Sequence, residues 1–133
     1  MADKLHFDLV SPERRLFQGE VDMVVVPGEE GDFGVLPGHA PVMSAIRSGA
    51  ISVHDGDAVT RTFIHGGFAE VTPEGLTVLA EEAIDLTTVD AAQTAKELAE
   101  AREDIGLARD DHERHAAEAR VAKLEALTEA LNS

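Results

Sequence analysis

The chain contains no cysteine, tryptophan or tyrosine, and only five phenylalanines among its 133 residues. Without cysteine there is no disulfide framework, no thiolate metal site and no thiol nucleophile. A reducing compartment is compatible with that composition. Aromatic residues make up 4% and hydrophobic residues 44%, so a core can form, but it has to be built from Val, Leu, Ile and Phe. Cations are scarce as well. Eleven Lys and Arg against 26 Asp and Glu leave a formal net charge of −15. Nucleic acid is excluded as a partner, because phosphates would be repelled. Adsorption to, or insertion into, an anionic lipid surface is excluded for the same reason. The natural complement is a basic protein surface. No apolar run approaches about 18 residues, so no spanning helix is expected. The opening Met1-Ala2-Asp3-Lys4-Leu5-His6 has no apolar h-region and no Arg-rich presequence. The expectation is a chain kept on the cytoplasmic side.

Two regions follow different patterns. Residues 1–86 alternate with period two. Leu5, Phe7 and Leu9 alternate with His6 and Asp8, and Val21, Met23 and Val25 alternate with Asp22 and Val24. Further runs are Ala50 to His54, Val59 to Ile64, Phe68 to Thr72 and Leu76 to Ala80. Turn formers separate them at Gln18-Gly19, Asp55-Gly56-Asp57, Gly66-Gly67 and Pro73-Glu74-Gly75. Asp55-Gly56 and Glu74-Gly75 are hairpin signals. About ten short strands with no intervening helix predict an antiparallel β-sandwich or barrel.

Residues 87–133 lack Gly and Pro except for Gly106 and are rich in Ala, Glu and Arg. The period becomes helical. Thr88 or Asp90 can cap a first helix with the stripe Ala91, Ala95, Leu98, Ala101 and Ile105, ended by Gly106. Asp110 or Asp111 can cap a second, with the stripe Ala117, Val121, Leu124, Leu127 and Leu131. The short gap predicts an antiparallel helical hairpin, and the whole an α+β chain. Alanine-rich stripes bury little area and helices of this length are marginal alone, so the hairpin is expected to be the less stable part.

Catalytic and metal patterns are missing. There is no Gly-x-Ser-x-Gly elbow, no His-Glu-x-x-His and no Walker loop. His112 and His115 stand at i, i+3 but have no third ligand of matching pattern, and they read as a solvated helix face. His6, His54 and His65 read as surface or edge residues. His39 is the one histidine in an unusual setting. A small hydrolase centred on it would need an orienting carboxylate and a pocket, and the pattern shows neither. No cofactor and no metal are expected.

That setting is the segment from Pro27 to Pro41, where Gly28, Gly31 and Gly34 recur at thirds and Glu29, Glu30 and Asp32 cluster. It reads as a tight turn, a very short strand and a second tight turn. The order of acids does not match an EF-hand loop. A turn pinned by glycines presents its charge to a partner.

The segment resembles a signature of the ε subunit of bacterial F-type ATP synthases. The resemblance runs through nearly the whole chain. It is carried by Leu9-Val10-Ser11-Pro12-Glu13, Leu16-Phe17-Gln18-Gly19-Glu20-Val21, Gly31-Asp32-Phe33-Gly34-Val35-Leu36-Pro37-Gly38-His39-Ala40-Pro41, Gly66-Gly67-Phe68-Ala69-Glu70-Val71 and Thr77-Val78-Leu79-Ala80-Glu81. It implies an N-terminal β-sandwich followed by a C-terminal two-helix hairpin. It also implies a non-catalytic central-stalk role, peripheral on the cytoplasmic face of the bacterial inner membrane, coupling proton flow to ATP synthesis. Carried over by position, Glu29, Glu30, Gly31 and Asp32 would face the c-subunit ring, and His39, Met43 and Ser44 would lie against the γ subunit. The hairpin would be regulatory, with Arg102, Arg109, Arg114, Arg120 and Lys123 reaching acidic groups of the α and β subunits and inhibiting ATP hydrolysis. Some relatives bind ATP through Ile/Leu-Asp-x-x-Arg-Ala. Here Val89-Asp90-Ala91-Ala92-Gln93-Thr94 keeps Asp90 but has neutral Gln93 for the arginine, so tight ATP binding is not expected. The alternative reading is a stand-alone β-sandwich protein-binding module that dimerises through a helical tail bearing Leu124, Leu127 and Leu131.

Overall fold

The computed structural model describes residues 3–132. Met1 and Ala2, part of the N-terminal expectation above, lie outside the described residues, as does Ser133. The elements in order are β1 (Leu5–Val10), β2 (Arg15–Val21), β3 (Met23–Gly28), β4 (Gly31–Val35), β5 (Val42–Ala45), β6 (Gly49–Asp55), β7 (Ala58–Thr72), β8 (Gly75–Asp85), a short 3-10 turn at Leu86–Thr88, α1 (Ala91–Leu107) and α2 (Asp111–Asn132). The chain divides into two compact units between Asp85 and Leu86.

The strands follow the path β2-β1-β8-β7-β6-β3-β4, with β5 paired to β7. Every pairing is antiparallel except β1–β8, which is parallel with Phe7 opposite Leu76. β7 is 15 residues long and serves two partners on one edge. Its first half pairs with β6, from Asp55↔Ala58 to Gly49↔Ile64, and its second half pairs with β5, from Ala45↔Phe68 to Val42↔Val71. Between the halves lie Gly66 and Gly67, at φ +74° and +126°. They bend the strand without inserting a residue, since β7 and β8 keep one register from Thr62↔Asp85 to Thr72↔Gly75. The bend folds the path over itself. One core then gathers Leu5, Phe7 and Leu9 of β1, Val24 and Val26 of β3, Ile51 of β6, Ile64 and Val71 of β7, and Leu76 and Val78 of β8.

Several local expectations change. Eight strands, not about ten, form among the described residues, because the runs on either side of Gly66-Gly67 are one bent strand. Gln18-Gly19 is not a turn but lies inside β2. A Cβ on Gly19 would sit 3.3 Å from the Phe17 ring, so that ring covers the bare backbone. The alternation of Val21, Met23 and Val25 also breaks. Val21, Val24 and Val26 are the buried set, because the chain bends at Asp22 between β2 and β3 and the phase reverses there.

In the helical unit, Asp90 is the N-cap of α1 and accepts from the N–H groups of Ala92 and Gln93 at 2.9 and 3.2 Å. Asp110 caps α2 through the Glu113 N–H at 2.8 Å, and Glu113 returns a bond to the Arg109 N–H at 2.7 Å. The first bond satisfies a donor that the helix start leaves unpaired, and the second fixes the residue just before the cap. Gly106 does not end α1, which runs to Leu107. Ala91 and Ala95 are exposed. The buried residues of α1 are Thr94, Leu98 and Ala101, and those of α2 are Ala117, Leu124, Leu127 and Ala130. Leu98, Ala101, Val121 and Leu124 form the seam between the helices. Thr94 can be buried because its hydroxyl donates to the Asp90 carbonyl at 3.0 Å.

A Cβ on Gly67 would lie 2.0 Å from the Leu79 carbonyl oxygen, and its φ disfavours any other residue. Gly67→Ala is therefore expected to destabilise the β unit by about 3 kcal/mol, read as a lower urea midpoint. A midpoint equal to wild type would show that the bend is not obligatory.

Candidate functional site

The acidic turn is built from backbone first. Strands β3 and β4 close through Val26↔Phe33, Pro27↔Asp32 and Gly28↔Gly31, leaving Glu29 and Glu30 as a two-residue loop. Both glycines are required. A Cβ on Gly28 would meet the Gly31 carbonyl at 2.6 Å and the Phe33 ring at 2.9 Å. Gly31 adopts φ +137°, where side chains are strained. The loop is braced from β5 as well: the Glu29 N–H donates to the Ala45 carbonyl at 2.9 Å, and Gly28 bridges to Ile46. Glu29, Glu30, Gly31 and Asp32 are all exposed. The three acids are not equivalent, however. Asp32 is ion-paired with the Arg47 guanidinium, whereas Glu29 and Glu30 form no ion pair among the described residues. Sequence reasoning missed Arg47, because nothing in its local pattern marks it as the neighbour of a turn fifteen residues earlier.

His39 lies past the other end of β4, whose five residues span about 17 Å. The His39 N–H donates to the Leu36 carbonyl at 3.1 Å, and Gly38 has φ +81°, so Leu36-Pro37-Gly38-His39 is a tight turn with Pro and Gly in the positions of type II. The half-buried imidazole donates from Nδ1 to the Ala40 carbonyl at 2.6 Å. Among the described residues no carboxylate pairs with it to make it a general base. Met43 and Ser44 lie on β5, which leads back towards the acidic turn. Met43 is 65% exposed, with Phe68 at 56% and Leu79 at 54% on the neighbouring strands β7 and β8. Ala45↔Phe68 and Phe68↔Leu79 are direct cross-strand pairs, so these side chains make one apolar outer face. The structure thus separates His39 from the acids and lays Met43 and Ser44 between them.

Around the first residues of β1, Lys4 bridges Asp22 at 2.7 Å and Asp55 at 2.8 Å. The second oxygen of Asp22 accepts the Gly56 N–H at 2.6 Å. This clasp ties the β2–β3 bend to the β6–β7 hairpin. Hydrogen bonds to Asp22 and then Asp55 hold the Lys4 ammonium well above its ordinary value of 10.5. Bonds from Lys4 and then Gly56 hold the Asp22 carboxyl below 3.8.

In the helical unit all four expected arginines are already engaged. Arg102 pairs with Glu125 at 3.5 Å and Arg120 with Asp104 at 3.7 Å, both between the helices. Arg109 pairs with Glu113 at 3.1 Å and Arg114 with Asp111 at 3.0 Å. Lys123 also has an interaction within the chain. Bonds to Arg109 hold the Glu113 carboxyl below its ordinary 4.5. Asp90 is occupied as a helix cap. Of the expected dimerisation stripe, Leu124 is buried in the hairpin seam and Leu127 is also buried, while Leu131 is half-buried. His112 and His115 are exposed. Among the described residues no group of three or more His, Asp or Glu is placed to hold a metal, and no helix is long and apolar enough to cross a membrane.

A family model described as ATP synthase, Delta/Epsilon chain, beta-sandwich domain matches residues 4–86. The ATP synthase epsilon chain of Maricaulis maris (strain MCS10) is 68% identical over 127 residues, covering 96% of both chains. The chain belongs to the ATP synthase epsilon family. The epsilon chain of Parvibaculum lavamentivorans is 56% identical over 118 residues, 88% of this chain and 89% of that one. Among solved structures, a chain of the Euglena gracilis mitochondrial ATP synthase, OSCP/F1/c-ring in rotational state 1, matches with a TM-score of 0.87 at 28% identity, covering 98% of this chain and 83% of its own length. A chain of the Tetrahymena thermophila mitochondrial ATP synthase central stalk and c ring shares the fold, with a TM-score of 0.71 at 14% identity and 98% coverage of each. As a member of this family the chain is a non-catalytic rotor subunit of an F-type ATP synthase.

The clasp generates a pH prediction. A raised lysine stabilises below 10.5 and loses that contribution as pH rises through its folded-state value. A lowered aspartate stabilises above 3.8 and loses it as pH falls through its folded-state value. The thermal midpoint should therefore be highest between those limits. Lys4→Met should flatten the acid flank, because Asp22 returns towards its ordinary value. An acid flank as steep as in wild type would rule the clasp out as its source.

Proposed function

We propose that the turn carrying Glu29, Glu30, Gly31 and Asp32 meets the polar loops of the c-subunit ring, and that His39, Met43 and Ser44 lie against the γ subunit. The helical hairpin then engages the α and β subunits and restrains ATP hydrolysis. The subunit works at the cytoplasmic face of the bacterial inner membrane. The observation that carries this reading is the rigid presentation of two unpaired carboxylates on a two-residue loop pinned by Gly28 and Gly31. Torque must pass through a stiff body, and a close-packed core with a braced turn is stiff. The exposed face of Met43, Phe68 and Leu79 supports an apolar partner surface beside the turn. The γ subunit fits, because one partner can follow β5 from the His39 turn back to the acids.

The hairpin supports regulation through its economy of contact. Its seam is four small or medium side chains, and its arginines pair with acids of the same hairpin. Exposed pairs of this kind contribute about 0.2–1 kcal/mol each. Acidic groups on the α and β subunits can therefore compete for the same arginines, which is the energetic condition for a two-state element. Nucleotide sensing is not part of the proposal. Asp90 is used by α1, and Gln93 donates weakly to Glu97 at 3.4 Å.

Two experiments test it in the assembled ATP synthase. Replacing Glu29 and Glu30 together by Gln should weaken coupled ATP-driven proton pumping roughly three- to tenfold, and more at low salt than at high salt. Equal coupling at both salts would remove the c-ring assignment. Deleting residues 88–133 should raise ATP hydrolysis several-fold, and unchanged hydrolysis would remove the inhibitory one.

A further inference from the structure

We propose that Arg47 is the positioning residue of the acidic turn, and that Asp32 fastens the turn rather than contacting the partner. The inference rests on the c-ring reading of the turn only for its functional consequence. Its geometry stands without it.

Arg47 sits in the link of residues 46–48 between β5 and β6, and it grips both limbs of the β3–β4 hairpin. Its main-chain N–H donates to the Pro27 carbonyl on β3 at 3.0 Å. Its guanidinium pairs with the Asp32 carboxylate on β4. Pro27 and Asp32 are themselves cross-strand partners, so one residue spans one rung, the rung next to the Gly28↔Gly31 closure. The link is anchored on its other side by the Ile46 N–H, which donates to the Gly67 carbonyl at 3.0 Å. A strap therefore runs from the bend in β7 to the base of the loop.

The guanidinium is also held in place. Nη1 donates to the Ser48 carbonyl at 3.3 Å. A Cβ on Gly49 would lie 2.7 Å from Nη1 and 3.1 Å from Pro27 Cβ, so Gly49 leaves the room the guanidinium occupies. Three acids and one bound cation leave two uncompensated charges, Glu29 and Glu30, at the tip. A planar fork fits this role better than a lysine ammonium, because it can serve Asp32 and the Ser48 carbonyl from different nitrogens.

Amide hydrogen exchange on the full chain tests the assignment. The Glu29 N–H, bonded to the Ala45 carbonyl, should exchange about tenfold faster in Arg47→Ala and in Asp32→Asn, while the Val78 amide in the core keeps its rate. Arg47→Lys should recover only part of the protection. The exchanged pair, Asp32→Arg with Arg47→Asp, should restore it to within about twofold. Wild-type protection in Arg47→Ala, or an equal acceleration at Val78, would overturn the assignment. Proton pumping by the assembled enzyme separates this result from the c-ring reading. If Arg47→Ala loosens the turn but neither it nor the Glu29, Glu30 double variant alters coupling, positioning stands and the c-ring contact falls. If the double variant alters coupling while Arg47→Ala leaves exchange and coupling at wild type, the contact stands and positioning falls.

Discussion

The β unit depends on a backbone conformation, that of Gly66 and Gly67 in the middle of β7. Their positive φ values let one fifteen-residue strand leave one layer and enter another without losing register with β8. Two short strands, β5 and β6, can then share a single edge of β7, and the three-residue link between them becomes a corner. That corner carries Ile46 into the core and Arg47 towards the β3–β4 hairpin. Without the bend the path would stay open, and the apolar faces of β1, β3 and β6 would not meet.

Charge is distributed according to the work each acid does inside the fold. Asp22 and Asp55 are used on Lys4, Asp32 on Arg47, and Asp90 and Asp110 on helix starts. Glu29 and Glu30 remain available. A chain with net charge −15 can repel unsuitable partners from any side, but it offers a rigid, directed pair of charges at one loop. Electrostatic complementarity of that kind favours specificity and encounter more than raw affinity. It suits a subunit that must keep one orientation within a rotor.

The two units differ in how they are held. The β unit encloses side chains such as Phe7, Ile51 and Val78 with no exposure, and the β7–β8 ladder keeps one register throughout. The hairpin relies on good caps, a narrow seam and surface ion pairs. The ion pairs contribute little each and are screened by salt, and the seam buries few side chains.

Residue order alone determined much of this. Period-two runs, the Asp55-Gly56 and Glu74-Gly75 turns, the loss of Gly and Pro after residue 87, and the family signature around His39 were legible because each is a local pattern with a local physical cause. The glycine spacing at 28, 31 and 34 even marked the turn whose backbone tolerates no Cβ at Gly28. Only the tertiary structure decided the rest. Gly66-Gly67 looks like a chain reversal, and whether it reverses or bends depends on β8 holding register across it. The inward set of β3 depends on a phase change at Asp22 that is stabilised by Lys4 and Gly56, both distant in sequence. The identity of the free acids depends on Arg47, because a charge cluster cannot reveal which of its members meets a cation brought to it by another strand.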